Sequence, residues 1–494
     1  MADANSSSPG VAESLSGNRT IAPEVDVKTR KSFEMPHIYV ILFVFSAIAA
    51  LMTYIVPAGQ YDRIPGPNGR TTIDADSFRI IESTPVGLQD FMLAIPRGLM
   101  DAGVVVFFTF IIGGMFMVLR RTGIIEIGVD KLTRRFAHNS IVVIPVLMVT
   151  FAVIATLIGT QELALVYVPV ILPLMIALRF DSVTAAGVAL CATTAGFTAG
   201  VLNPINTGLG QQLAGLPVFS GMGLRSMAFV AILLTGVAYV IRYASRVRNN
   251  PELSLMSGDA AEAEKRKRYL HAETEGVLAA TARQKLAAVA AFAFFGILVW
   301  GVLERHWFMM EMAGLFIIMG VVVGLIAGLK TADICEGFNE GFRDVLVGAF
   351  ICGVARAVAV VLEDGHIMDT LVHGLGGLVG GFPSMLSAIG MFVSQLGFNF
   401  VIPSGSGQAL VTMPIMAPLS DLVGVTRQTA VLAYQLGDGL SNILYPTSGY
   451  FMATLALAGV GWNKWVKFFL PLFGIWVAIA IAFLAFAQAT QWMG

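Results

Sequence analysis

The chain has 494 residues, a formal net charge of -1, 56% hydrophobic and 13% charged residues, and a mean hydropathy of +0.77. A soluble domain carries about 45–50% apolar and about 25% charged residues, so an ordinary soluble fold is excluded. Near-neutral charge offers no basic surface to nucleic acid. Repeated apolar runs of roughly 18 or more residues predict an all-α polytopic membrane protein.

Residues 1–34 are Ser/Gly/Ala-rich and lack an apolar signal core, so they are expected to form a disordered cytoplasmic tail ending in Lys28, Arg30 and Lys31. A first span is expected over Ile38 to Val56, then a polar loop with turns at Pro65–Gly69. A second span, Leu99 to Leu119, ends on Arg120 and Arg121, and the following connection adds Lys131, Arg134 and Arg135. That positive charge places the connection, and with it the N-terminus, in the cytoplasm.

The segment 141–179 is apolar, then polar at Gly159–Glu162, then apolar again, with positive charge at both ends. This predicts a re-entrant hairpin entering from the cytoplasm. A span from Met227 to Ile241 leads into a charged linker, 244–283, whose basic cluster Lys265–Arg268 sets orientation and can attract anionic lipid. A connecting span (284–304) and a short outer loop at Glu304–His306 precede spans at Met312–Leu329 and Val345–Leu362. A Gly-rich turn region comes next, then a second hairpin at about 385–423 and a final span from Phe468 to Ala487. Cys191, Cys335 and Cys352 show no CxxC pairing and are expected to be buried thiols.

Two stretches break otherwise apolar helices: Asn203–Gly208, with Pro204, and Ser441–Gly449, with Pro446. Proline lacks the N–H a helix needs, and in lipid the freed backbone groups must meet protein or a water-filled cavity. Paired broken helices point to a transporter's binding site. The two halves also align. Pro169 and Pro173 recur as Pro414 and Pro418 at an offset of 245, and Thr184-Ala185 recurs as Thr429-Ala430 at the same offset. The charges place the copies, 35–243 and 305–494, in opposite orientation. The expectation is about nine spans, two re-entrant hairpins and two broken helices.

Met35-Pro-His-Ile-Tyr-Val, Ile55-Val-Pro-Ala-Gly-Gln-Tyr, Gly159-Thr-Gln-Glu162, Asn203-Pro-Ile-Asn-Thr-Gly208, Pro403-Ser-Gly-Ser-Gly-Gln408 and Asp438-Gly-Leu-Ser-Asn442 carry a resemblance. They are similar to the YfcC-type branch of the C4-dicarboxylate anaerobic carrier and basic amino acid antiporter group. The resemblance implies the ion-transporter superfamily fold, a homodimer, and a substrate that is either a dicarboxylate or a basic amino acid. The location that follows is the bacterial inner (plasma) membrane, multi-pass, with the N-terminus cytoplasmic.

Four polar tips supply the candidate site: Thr160, Gln161 and Glu162; Asn203, Asn206, Thr207 and Gly208; Ser404, Ser406 and Gln408; and Asp438, Ser441, Asn442, Thr447 and Ser448. N–H groups at half-helix starts suit a carboxylate, and Asn, Ser and Thr oxygens suit a cation. Capping of helix ends is the plainer use of the same residues. Glu162 and Asp438 are carboxylates in apolar sequence, costly unless paired or protonated. Each can meet a substrate ammonium or guanidinium, carry a coupling proton, or serve as a structural partner. Arg356 can pair with a substrate carboxylate or a buried acid, and structural pairing is favoured. Asp101 and Asp344 are expected to cap at the interface. No HExxH, GxSxG or Walker motif is present, so no cofactor, metal or enzyme chemistry is assigned; H+ or Na+ is the expected coupling ion. The favoured function is a secondary antiporter of basic amino acids. The alternatives are an H+- or Na+-coupled C4-dicarboxylate carrier, a passive channel and a membrane-embedded enzyme.

Overall fold

The computed structural model describes residues 38–65, 71–128, 131, 139–203, 206–270, 280–305, 307, 309–379 and 381–494. The 1–34 tail, the turn at 66–69, Arg134, Arg135, Pro204, His306 and the 271–279 part of the linker lie outside the described residues.

After α1 (Ile38–Met52) come four short strands, β1 (Gly59–Gln60), β2 (Arg63–Pro65), β3 (Thr71–Ile73) and β4 (Arg79–Ile80). β1 pairs with β4 and β2 with β3, both antiparallel, so the expected polar loop is partly strand. The expected Leu99–Leu119 span is two helices, α2 (Leu88–Asp101) and α3 (Gly103–Arg121), separated at Ala102.

A helix pair follows, α4 (Val143–Ile158) and α5 (Ala164–Ala177), then a broken pair, α6 (Ser182–Ala199) and α7 (Thr207–Leu213). The 28-residue α8 (Met222–Asn249) extends past the expected end at Ile241, because Arg242, Arg246 and Arg248 continue the helix into the polar region. The linker holds α9 (Ala260–Leu270), and α10 (Ala282–Arg305) and α11 (Met309–Ala327) follow, with Glu304 and Arg305 in the last turn of α10. α12 (Thr331–Asp364) has 34 residues and turns by 41° between Val347 and Ala349. The expected Gly-rich turn region is instead α13 (Met368–Val379). Its Gly376 lies where a Cβ would be 3.1 Å from Ile415, so close packing offsets the weak helix propensity.

The second half repeats the element order of the first. A helix pair, α14 (Ser384–Val401) and α15 (Gly405–Leu422), precedes a broken pair, α16 (Arg427–Ser441) and α17 (Gly449–Ala458). A 28-residue helix, α18 (Trp462–Ala489), ends it. Pro169 and Pro173 lie inside α5 and Pro414 and Pro418 inside α15, at matching places. Among the described residues, seven helices are long and apolar enough to cross a membrane, or eight if bent α12 is one span. Nine spans were expected; α1 has only 15 residues, and the second broken pair splits its apolar length between two helices.

The broken pairs form the centre. Every residue of α6 is buried, as is every residue of α16 except Arg427. Small residues permit this. A Cβ on Gly196 would overlap the Ala152 carbonyl of α4, one on Gly439 would overlap Thr198, and one on Gly437 would lie 3.0 Å from the Phe392 carbonyl of α14. Backbones thus approach closely from α4 through α6 and α16 to α14, the usual packing where lipid gives no hydrophobic drive between helices. Cys191 and Cys352 are buried, but Cys335, near the start of α12, is exposed, which corrects that expectation.

A candidate site at two broken helices

Asp438, fully buried in the last turn of α16, sits between the two breaks. Its Oδ2 accepts from Asn206 Nδ2 at 3.2 Å and its Oδ1 from Asn442 Nδ2 at 3.2 Å. Asn206 is placed by its own break, its N–H donating to Asn203 Oδ1 at 2.9 Å. On the other side Asn399 of α14 donates through Nδ2 to the Asp438 carbonyl (3.0 Å), Ser441 Oγ (2.7 Å) and Asn442 Oδ1 (3.1 Å). These bonds supply the backbone groups that a broken helix would otherwise leave bare.

The tip of the second helix pair closes on this cluster. A Cβ on Gly405, the first residue of α15, would overlap the Asn206 amide and come within 2.5 Å of Asp438 Oδ2. Tyr434 donates its hydroxyl to the Gly405 carbonyl at 2.7 Å, holding the tip against α16. The tip of the first pair approaches from the other chain half. Gly159 adopts φ 77° and packs so closely on Asn203 that a Cβ would lie 2.5 Å from its Oδ1, so only glycine meets both demands. Gln161 donates to Thr194 Oγ1 (3.3 Å) and to the Gly439 carbonyl (3.0 Å), and accepts from the Tyr450 hydroxyl at 2.6 Å. Glu162 is half-buried and accepts from the Thr160 hydroxyl.

Residues 35–489 match the family model of the C4-dicarboxylate anaerobic carrier, DcuC. The chain belongs to this family. A protein of Escherichia coli (strain K12), named "Putative basic amino acid antiporter YfcC", is 34% identical over 486 residues, covering 91% of this chain and 95% of its own. An uncharacterized protein of Haemophilus influenzae is 28% identical over 489 residues, covering 90% and 96%. Two solved structures align over 92% of this chain. Neisseria gonorrhoeae MtrF, described with a class of antimetabolite efflux pumps, does so with 16% identity, TM-score 0.38 and 95% of its own chain. The Alcanivorax borkumensis YdaH transporter does so with 15% identity, TM-score 0.39 and 99% of its own chain. Neither score fixes a shared fold. Family membership makes this chain a multi-pass membrane transporter of the DcuC/YfcC type.

Within this carrier the candidate residues divide. Asn203, Asn206, Asp438, Ser441 and Asn442 form one hydrogen-bonded group, and Gly208 joins it through its N–H to the Asn203 carbonyl at 2.9 Å. Thr207, Thr447 and Ser448 are buried, and their hydroxyl oxygens have no hydrogen-bond partner among the described residues. Gln408 instead turns into α14, donating to Gln395 Oε1 at 2.6 Å. Ser404 is exposed and caps α15 through Gly407 N–H at 3.4 Å, and Ser406 is partly exposed two residues before Gln408. Arg356 is outside this group. It pairs with Glu363 at 3.1 Å and Asp101 at 3.6 Å, so Asp101 is an ion-pair partner rather than a cap. Asp344 lies inside α12, not at its end.

Asn399 and Gly405 are the residues that sequence reasoning missed. Asn399 carried a signal, being an amide in the apolar run of α14, and such groups cross-link membrane helices. Gly405 lies within the quoted Pro403–Gln408 stretch, but the sequence assigns it no role of its own, since its role is to leave space. Trp465 Nε1 donates to the Ile443 carbonyl (2.7 Å) and Trp462 Nε1 to the Leu444 carbonyl (3.0 Å), tying α18 to the second break. At the linker, buried Glu262 accepts from Ser182 N–H at 3.1 Å at the start of α6, while Lys265 donates to the Ala458 carbonyl at 2.8 Å at the end of α17. One linker helix thus holds both broken pairs. Burial lowers the Lys265 pKa from its ordinary value, against the opposing pull of Glu262.

Proposed function

We propose that this carrier is a secondary active antiporter of basic amino acids, working by alternating access around Asp438. The observation that carries the reading is the pairing of Asp438: a fully buried carboxylate whose side-chain partners among the described residues are neutral amides of Asn206 and Asn442. A buried charge left without a counter-charge costs several kcal/mol, so a substrate ammonium or guanidinium, or a coupling H+ or Na+, suits the site. The substrate carboxylate is assigned to the start of α17, whose Ser448 makes no side-chain cap and whose neighbour Thr447 is likewise free to donate. The printed name of the Escherichia coli relative supports the same class.

The repeated element order and the matched prolines support an inverted repeat, with α4–α5 and α14–α15 as re-entrant hairpins entering from opposite faces. The homodimer, the inner-membrane location, the cytoplasmic N-terminus and the 35–243 and 305–494 division belong to the same proposal. A C4-dicarboxylate is the second reading, favoured by the family's own description. It lacks a cation at the site, because Arg356 is engaged by Asp101 and Glu363.

The test is uptake of labelled arginine and labelled succinate into proteoliposomes preloaded with unlabelled counter-substrate. Arginine uptake that requires internal arginine or ornithine supports the antiporter. Succinate uptake driven by an H+ or Na+ gradient, with arginine inert, would overturn it in favour of the dicarboxylate. Flux that neither saturates nor responds to counter-substrate would indicate a channel.

A further inference from the structure

We infer that Arg225 and the N-terminus of α8 form a binding site for a small anion, a halide or a single carboxylate, outside the hydrogen-bonded Asp438 group. Arg225 lies in the first turn of α8 and is fully buried. Among the described residues, none of its three guanidinium nitrogens has a hydrogen-bond partner and no carboxylate pairs with it. Arginine keeps its proton under all ordinary conditions, so it cannot escape this cost by becoming neutral. A buried, ionised, unpaired guanidinium requires a counter-charge.

The surroundings favour a negative one. The N-cap of α8 is Gly221, which has no side chain to cap the N–H groups of the first turn, and Gly494 packs beside it, where a Cβ would lie 3.4 Å from Gly221 N. Side chains on a helix lean toward its N-terminus, so Arg225 is directed at those same N–H groups. Contacts agree: the guanidinium carbon lies 5.8 Å from the centre of the Trp492 ring, and a Cβ on Gly221 would overlap that same ring. A helix dipole end and a bare cation therefore converge beneath one indole. The cation–π contact offsets only part of the desolvation of a buried charge. Among the described residues neither Gln211 nor Gln428 hydrogen-bonds the guanidinium, although the buried Gln428 Oε1 is itself without a partner there. Gln211 accepts from Phe219 N–H at 2.7 Å, and both amides donate to Ser220. The turn before α8 folds back along α7, where a Cβ on Gly208 would lie 3.3 Å from Val218.

The inference does not depend on the transported substrate and is tested without transport. The purified full-length protein is unfolded thermally in detergent while chloride, or separately acetate, replaces isethionate at constant ionic strength. A saturable rise in the midpoint is expected, absent in Arg225→Gln and partly kept in Arg225→Lys. A response to chloride names an inorganic anion as the occupant, and a response to acetate alone names a carboxylate. Should Arg225→Gln fail to fold, bromide decides: it should quench an indole emission component in the wild type that is missing in Trp492→Phe. No saturable response in the wild type, an equal response in Arg225→Gln, or equal bromide quenching with and without Trp492 would overturn the inference.

Discussion

Replacing Gly405 by alanine sets a methyl group where the Asn206 amide now lies and within 2.5 Å of Asp438 Oδ2. Neither neighbour can give way cheaply. Asn206 is anchored by its N–H to Asn203, and Asp438 lies in a fully buried turn of α16 held by Asn399 and Asn442. Either the tip of α15 lifts away or the 3.2 Å hydrogen bond from Asn206 to Asp438 breaks. A hydrogen bond to a charged acceptor contributes about 1.5–3 kcal/mol. At about 1.4 kcal/mol per factor of ten, the loss in apparent affinity or flux is on the order of 10- to 100-fold. Counterflow in proteoliposomes measures it, with the thermal midpoint showing that the protein is folded. Gly397→Ala is the matched control in the same helix pair, since a Cβ there meets nothing within 4 Å. It should transport normally and gain helix stability of up to about 1 kcal/mol. Wild-type flux in Gly405→Ala would refute the placement of the α15 tip against the Asp438 cluster.

Asn399→Ala removes the donor shared by the Asp438 carbonyl, Ser441 and Asn442, so buried acceptors should cost about 1–3 kcal/mol and transport should fall; an unchanged midpoint and flux would contradict that. Arg356→Gln breaks ion pairs that are partly exposed, so stability should change by about 0–1 kcal/mol and KM should stay within about twofold. A large rise in KM with stability intact would bring Arg356 into the substrate site. Asp259 of the linker is pushed up by burial but lowered overall by the hydrogen bond from Lys464, by the backbone N–H groups of Glu262 and Ala261, and by the Lys464 charge. A pKa depressed in the folded state means the contact stabilises fully above the ordinary 3.8 and is lost as pH falls through the lowered value. Hydrogen exchange in α9 should therefore rise on strong acidification, whereas Asp259→Asn should show raised exchange at neutral pH and no such step. Flat exchange in both proteins would contradict the clamp.

The helix pairs and the breaks were legible because bilayer crossing imposes apolar length, and Pro, Gly and Asn interrupt it visibly. Asp438 was legible for the same reason, as a charge where charge is expensive. The ends of α8 and α12 were not, since charged residues extend a helix beyond the apolar core as readily as they stop it. α13 was masked by its glycines, of which Gly376 packs against Ile415 of α15, a tertiary fact. β1 to β4 are two or three residues each, too short to leave an alternating pattern. They are fixed by distant partners instead. Tyr61 N–H donates to Asp369 at 3.0 Å, Arg63 pairs with the same carboxylate at 3.1 Å, and Thr72 donates to the Leu410 carbonyl at 2.8 Å. Burial and the Asp369 charge both raise the Tyr61 pKa. Arg356 was singled out by sequence but spent on Asp101 and Glu363, while Gly405, inside the quoted Pro403–Gln408 stretch, was assigned no role because the contact it permits depends on the distant Asn206 and Asp438.

The most direct test of the central claim is counterflow of the transported solute by Asp438→Asn beside the wild type, at equal amounts of folded protein. Asparagine keeps the size of the side chain, removes the charge and turns one of the two acceptor oxygens facing Asn206 and Asn442 into a donor at the junction of the two breaks. The account predicts that counterflow is lost while the thermal midpoint is held or raised. Wild-type counterflow in Asp438→Asn would contradict it and move the transport site away from the broken helices.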